Sequence, residues 1–384
     1  MVRYILSICL LFASLSVAGA KGDSTAVVHN VSIGVRPALL TQHHSFYRGE
    51  NATGSSLAAT TSAHLQYSFY FPVSSALGKL FPASYQGIGL GCNTFFNHKV
   101  MGSPVSLYVF QGARIAQFGE NLSLDYEWNF GVSSFWKHNE VIGTNCNVYA
   151  NGGLLLSWYP LPEWKLSFGL DYTHFSNGDT KLPNFGVNTW GLRFTASRSF
   201  GDGLVQTPDR PYRNRLTDKA FLKRTTLDLI LCGAWVKDCV QYQGIAYDVD
   251  GRFGVLALHI NPLYKLTHYL SVGPSIDIQY NESANIANHV AGLNPNGPVI
   301  KFHRPPLSAQ LAAGLSARVE FAAPIFSVNF GLGHNFIYKG EEWEGLYYIL
   351  ALKSFVYKGF FLHTGLRIPS KSSINLLLGL GWRF

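Results

Sequence analysis

The chain has 384 residues, 14 % of them charged and 14 % aromatic, with 30 Lys+Arg against 22 Asp+Glu. That length exceeds what one small core needs, and a basic surplus suits an anionic surface such as a phosphorylated glycolipid. Beyond residue 20 no apolar run approaches the ~18 residues a membrane-crossing helix requires, which excludes a helical membrane protein.

The first 20 residues, MVRYILSICLLFASLSVAGA, combine Arg3, an apolar stretch too short to span a bilayer, and a small-x-small end at Ala18 and Ala20. This reads as a secretory signal peptide cut before Lys21. Removing Arg3 from the 30 basic residues leaves 29 against 22 acidic ones, and export argues against nucleic acid as their partner.

From residue 28 onward the chain alternates. Apolar and small-or-polar residues exchange places with period two over 28–40, 63–71, 85–96, 104–112, 121–133, 147–159, 163–177 and 187–199, then over 224–236, 251–262, 266–280, 306–321, 325–338, 343–356, 358–368 and 373–384. The last of these, INLLLGLGWRF, sets Ile374, Leu376, Leu378, Leu380, Trp382 and Phe384 on one face and Asn375, Leu377, Gly379, Gly381 and Arg383 on the other. Apolar-out, polar-in segments ending in aromatics specify an all-β, antiparallel transmembrane β-barrel of about 16 strands. Long polar connections at 41–62 and 281–305 follow odd strands, and short ones such as PLPE at 160–163 and AAPI at 322–325 follow even strands. This is the pattern of external loops and periplasmic turns. The exception is the Pro- and Arg-bearing segment 200–223, which divides the chain. The expected organisation is a signal peptide (1–20), barrel strands with the active site (21–200), a linker (201–223) and C-terminal barrel strands (224–384). One wide barrel, needing a single closure, is the expectation; two eight-stranded barrels are the alternative, because eight strands suffice to close.

Cys9 leaves with the signal peptide, so Cys92, Cys146, Cys232 and Cys239 remain in a disulfide-permitting compartment. A Cys232–Cys239 hairpin bridge and four unpaired thiols stay equally open. No CxxC, CxxCH or HExxH pattern occurs, and neither a metal site nor a cofactor is expected.

The seventh and eighth strands carry the one anomaly. Alternation puts Leu166, Phe168, Leu170, Tyr172, His174 and Ser176 outward, together with Asn188, Trp190, Leu192 and Phe194 of the next strand. A hairpin symmetric about Lys181 brings Asn188 opposite His174, so three polar side chains cluster on an apolar face at outer-leaflet depth. Ser176 would attack a carbonyl, His174 would take its proton, and Asn188 would orient the imidazole. Backbone N–H groups around Asn177 and Gly178, with the Asn184 side chain, are candidates to receive an oxyanion.

At HFSNGDTKLPNFGVN the sequence resembles the outer-membrane lipid A 3-O-deacylase family, through His-x-Ser-Asn at 174–177 and through Lys181, Pro183, Asn184 and Gly186. The resemblance spans about residues 28–200. It implies an eight-stranded barrel with His174 as base, Ser176 as nucleophile and Asn184 in the oxyanion site. Where that family has a glutamate, Asn188 stands here. The spacing of His174, Ser176 and Asn188 is also similar to the His-Ser-Asn triad of outer-membrane phospholipase A. Lys181 falls where that enzyme has a calcium-binding aspartate, so no calcium requirement is expected. Residues 224–384 have no counterpart in the small deacylases, and longer acyloxyacyl-hydrolase-like members are the expected explanation. The resulting expectation is an outer-membrane serine esterase that removes an ester-linked acyl chain from lipid A of lipopolysaccharide. Phospholipase A and a passive porin are the alternatives, and pairing of copies into a homodimer stays open.

Overall fold

In a computed structural model of the chain, the described residues are 27–72, 75–178, 180–200, 224–293, 299–371 and 374–384. The signal peptide at 1–20 and the linker at 201–223 lie outside them.

The first unit is a closed barrel of eight antiparallel strands in sequence order: β1 (Val28–Leu40), β2 (Ala59–Tyr70), β3 (Ser84–Thr94), β4 (Gly102–Phe118), β5 (Leu122–Trp136), β6 (Cys146–Leu161), β7 (Trp164–Ser176) and β8 (Val187–Phe200). Closure runs from His29↔Phe200 to Leu40↔Thr189, so β1 and β8 leave no open edge. An edge exposed to hydrocarbon would strand backbone N–H and C=O groups without partners. Outward positions are greasy and exposed, among them Ile33, Leu39, Leu154, Leu170 and Trp190. Such a belt is stable in lipid and would associate in water.

The inward positions carry charge. Arg193 lies 2.7 Å from Glu127 and 3.1 Å from Asp171, and Arg36 lies 3.6 Å from Asp171 and donates to Tyr149 Oη over 2.8 Å. Above this network the interior is filled by Tyr108, Tyr149, Phe175 and Trp136. Removing one partner of a buried ion pair leaves an uncompensated charge, which costs about 3–5 kcal/mol. Arg193→Met is therefore expected to lower the stability of this barrel by about that amount, read as an earlier unfolding midpoint in detergent.

The second unit is another closed eight-stranded barrel: β9 (Thr225–Val236), β12 (Phe253–Lys265), β13 (Leu270–Asn281), β16 (Leu311–Ala322), β17 (Phe326–Tyr338), β18 (Leu346–Tyr357), β19 (Phe360–Pro369) and β20 (Asn375–Arg383), with β20 pairing back onto β9. Its interior is also charged and paired. Lys353 bridges Asp228 and Glu320 at 2.6 and 2.5 Å, and Arg383 meets the same two carboxylates.

The single sixteen-stranded wall is thus corrected in favour of the eight-plus-eight alternative. Alternation is the same in either case, and what decides is that β1 and β9 each find a closing partner in the eighth strand of their own barrel, β8 and β20. A wide aqueous lumen would need the larger closure. The alternation also passed over four short strands, β10 (Cys239–Tyr242), β11 (Ile245–Val249), β14 (Val290–Leu293) and β15 (Val299–Phe302), which form a separate sheet in the order β10-β11-β15-β14. Segments of 4 or 5 residues are too short to display a period. Cys92, Cys146, Cys232 and Cys239 are unbridged, so the hairpin disulfide is not formed.

Candidate active site

Strand β7 sends Asp171, Thr173, Phe175 and then Asn177 into the first barrel, where all four are buried, and leaves Tyr172, His174 and Ser176 half-buried on the outer wall. The β7–β8 register pairs His174 with Asn188, as symmetry about Lys181 requires. The intervening loop leaves β7 at Gly178 and enters β8 from Gly186, with φ of +62° and +72°, in the left-handed region that favours glycine. Gly186 has a second reason to lack a side chain, because a Cβ there would approach His174 Cε1 to 3.1 Å. The loop is pinned by Gly143 N donating to Pro183 O over 2.7 Å, Phe185 N to Val141 O over 3.0 Å, and Tyr47 Oη to Gly186 O over 2.6 Å. Aromatic and aliphatic side chains of the neighbouring loops, among them Phe46, Val141 and Ile142, pack beneath it.

Asn188 is the hub of the wall. His174 Nδ1 lies 2.5 Å from Asn188 Oδ1, and Tyr172 Oη donates to the same oxygen over 2.8 Å. An amide oxygen accepts and cannot donate, so the imidazole carries its proton on Nδ1 and keeps the Nε2 lone pair for a proton from elsewhere. Tyr172 was not singled out by sequence reasoning. Its signal was there, two residues before His174 on the same face, and its ring packs 4.7 Å from that of Trp190. Losing its hydrogen bond is worth about 1 kcal/mol, so Tyr172→Phe is expected to lower the stability of this barrel by about that amount, read from the unfolding midpoint in detergent.

Ser176 Oγ lies 2.9 Å from Asn184 Nδ2 and 3.2 Å from Asn184 Oδ1, and Asn184 Oδ1 accepts from Asn177 N over 2.9 Å. The amide of Asn184 therefore rests against the serine. The structure joins the residues in two pairs, His174 with Asn188 and Ser176 with Asn184, on one face of one hairpin. Asn177 differs from its neighbours: its side chain is buried and donates to Lys181 O over 2.7 Å, and its backbone N–H meets Asn184 on this wall. Lys181 is exposed on the same loop.

The fold is that of a membrane-spanning β-barrel protein with a polar, imidazole-bearing site on its outer wall. Residues 59–197 match the family model for Lipid A 3-O-deacylase (PagL), and residues 226–384 match that for Acyloxyacyl hydrolase, C-terminal domain. The chain belongs to the PagL-like lipid A 3-O-deacylase family, hydrolases of the bacterial outer membrane. The second match covers nearly all of the C-terminal strands at 224–384. A search of curated proteins finds no match. Similar solved structures include Neisserial surface protein A, 10 % identical with a TM-score of 0.30, over 46 % of this chain and 100 % of that one. Another is the Acinetobacter baumannii outer membrane protein Omp33, 8 % identical with a TM-score of 0.18, over 93 % and 99 %. Likeness at this level says nothing about activity.

Proposed function

We propose that the first barrel is a serine esterase that cleaves an ester-linked acyl chain from lipid A in the outer leaflet, with Ser176 as nucleophile, His174 as general base and Asn188 as the group that orients it. The observation that carries this reading is the 2.5 Å contact between His174 Nδ1 and Asn188 Oδ1 beside a serine on the apolar wall. An ionisable side chain facing hydrocarbon is costly and is a functional candidate by default.

The chemistry follows from the tautomer. Ser176 Oγ, turning from Asn184 toward His174, gives its proton to Nε2 as it attacks the ester carbonyl. The carbonyl π electrons move onto oxygen, and that oxyanion accepts from Asn184 Nδ2, already within reach of Oγ. Collapse expels the sugar alkoxide, which takes the proton from His174 and leaves an acyl-serine. Water then repeats the sequence with His174 as base and releases the fatty acid. The acyl chains need not leave the bilayer, because the site opens onto it. Lys181, on the same loop, is the first candidate to meet the phosphorylated head group.

The test offers lipid A and phospholipid separately to the purified protein in detergent, with and without added calcium. Loss of one acyl chain from lipid A, indifferent to calcium, is expected. Hydrolysis of phospholipid alone would replace the substrate assignment, and hydrolysis of neither would remove the esterase reading.

A further inference from the structure

The second barrel contains a cluster that the hydrolytic reading does not use. Cys232 of β9, His259 of β12 and His363 of β19 are buried inside it, between 2 and 3 % exposed, and one potential ligand atom from each lies within 4.8 Å of the other two. The strand register assembles them. Cys232 pairs with Gly379 and Gly379 with His363, so thiol and imidazole flank a position without a side chain; a Cβ on Gly379 would lie 2.4 Å from that of Cys232. On the other side of β9, Ala257 of β12 pairs with Cys232, and His259 is the next inward position along that strand.

Two further features set this cluster apart from an ordinary polar interior. His259 Nδ1 lies 2.7 Å from Asp277 Oδ1, and Asp277 is itself fixed by Ser275 at 2.8 Å, Arg318 at 2.6 Å, Ser316 at 2.6 Å and Tyr347 at 2.7 Å. A carboxylate held in this way keeps the imidazole proton on Nδ1 and leaves Nε2 free to coordinate, which is how metal-bound histidines are oriented. His363 Nδ1 is buried without a hydrogen-bond partner. Such an orphan is unfavourable in a dry interior, and a bound cation would give it a partner. The Cys232 thiol makes a long contact, 3.7 Å to Ala257 O.

We propose that Cys232, His259 and His363 bind a zinc ion inside the second barrel, with water in the fourth position. One sulfur and two imidazoles suit a borderline-soft divalent ion, whereas calcium and magnesium take oxygen. Bonds of about 2.0–2.3 Å place the ligand atoms of a tetrahedral zinc roughly 3.5 Å apart, so the three atoms close in by about an ångström on binding. The Cys232 thiol gives its proton to solvent as the sulfur–zinc bond forms. The resulting thiolate offsets one of the two charges of the ion, while Asp277, paired with Arg318, serves to orient His259. Zinc there ties β9, the strand at which this barrel closes, to β12 and β19.

The experiment refolds the full chain in detergent with Zn²⁺, removes loose metal with a weak chelator, and measures bound zinc. A single retained zinc per chain is expected, together with a thiolate-to-cobalt charge-transfer band when Co²⁺ replaces it. Cys232→Ser and His363→Gln should each weaken retention roughly tenfold or more, and Cys232→Ser should abolish the cobalt band. Folding of each variant is read from its heat-modifiable migration in gels. A wild-type barrel that retains no zinc would overturn the proposal even if a variant fails to fold. So would equal retention by wild type and both variants.

Discussion

Ser176→Ala is expected to reduce lipid A deacylation by about 10⁴-fold or more, because removing the nucleophile of a serine hydrolase leaves only what binding and oxyanion donors provide. The barrel should be unaffected. Ser176 sits half-buried at the end of β7, and its hydroxyl bonds Asn184 in the adjoining loop, so its loss disturbs neither the β7–β8 ladder nor the interior charge network. Mass spectrometry of lipid A after incubation reads the rate, and unchanged heat-modifiable migration reads the fold. Wild-type turnover in this variant would place the nucleophile elsewhere.

Asn188→Ala carries the second large effect, a loss of about 10²–10⁴-fold in kcat, the range seen when the group that sets a catalytic histidine's tautomer is removed. The substitution deletes the acceptor of both His174 Nδ1 and Tyr172 Oη, so the imidazole loses its fixed tautomer and the tyrosine its partner. Asn188→Asp keeps an acceptor at the same place and is expected to retain activity within about tenfold. Asn188→Leu, which keeps the bulk and removes the acceptor, separates orientation of the base from mere packing: a loss as large as that of Asn188→Ala is expected, whereas packing alone would be served by leucine. Normal rates in Asn188→Ala would take Asn188 out of the mechanism.

The candidate hairpin of β7 and β8 was legible because every signal in it is local. Period-two alternation fixed which face His174 and Ser176 occupy, and the symmetry of the loop about Lys181 placed Asn188 opposite His174, the register found in the structure. Asn184 was legible as a loop amide near the serine, and it lies against Ser176 Oγ. Closure was not legible, because β1 meets β8 across the whole first half of the chain and alternation has no term for long-range pairing. Tyr172 escaped because a tyrosine on an apolar, aromatic-rich face looks like part of the belt, and only its hydroxyl's contact with Asn188 sets it apart. The Cys232, His259 and His363 cluster escaped for the opposite reason: its members lie on three strands, with none of the short spacings by which ligand sets are recognised.

The proposed esterase requires Ser176 to be an activated nucleophile on the lipid-facing wall, and covalent labelling tests that most directly. Exposing the detergent-solubilised protein to a lipophilic fluorophosphonate and mapping the adduct by peptide mass spectrometry should find the label on Ser176, with labelling strongly slowed in Asn188→Ala and absent in Ser176→Ala. A protein that takes no label, or takes it on another serine at the same rate in all three forms, would show that Ser176 is not an activated nucleophile.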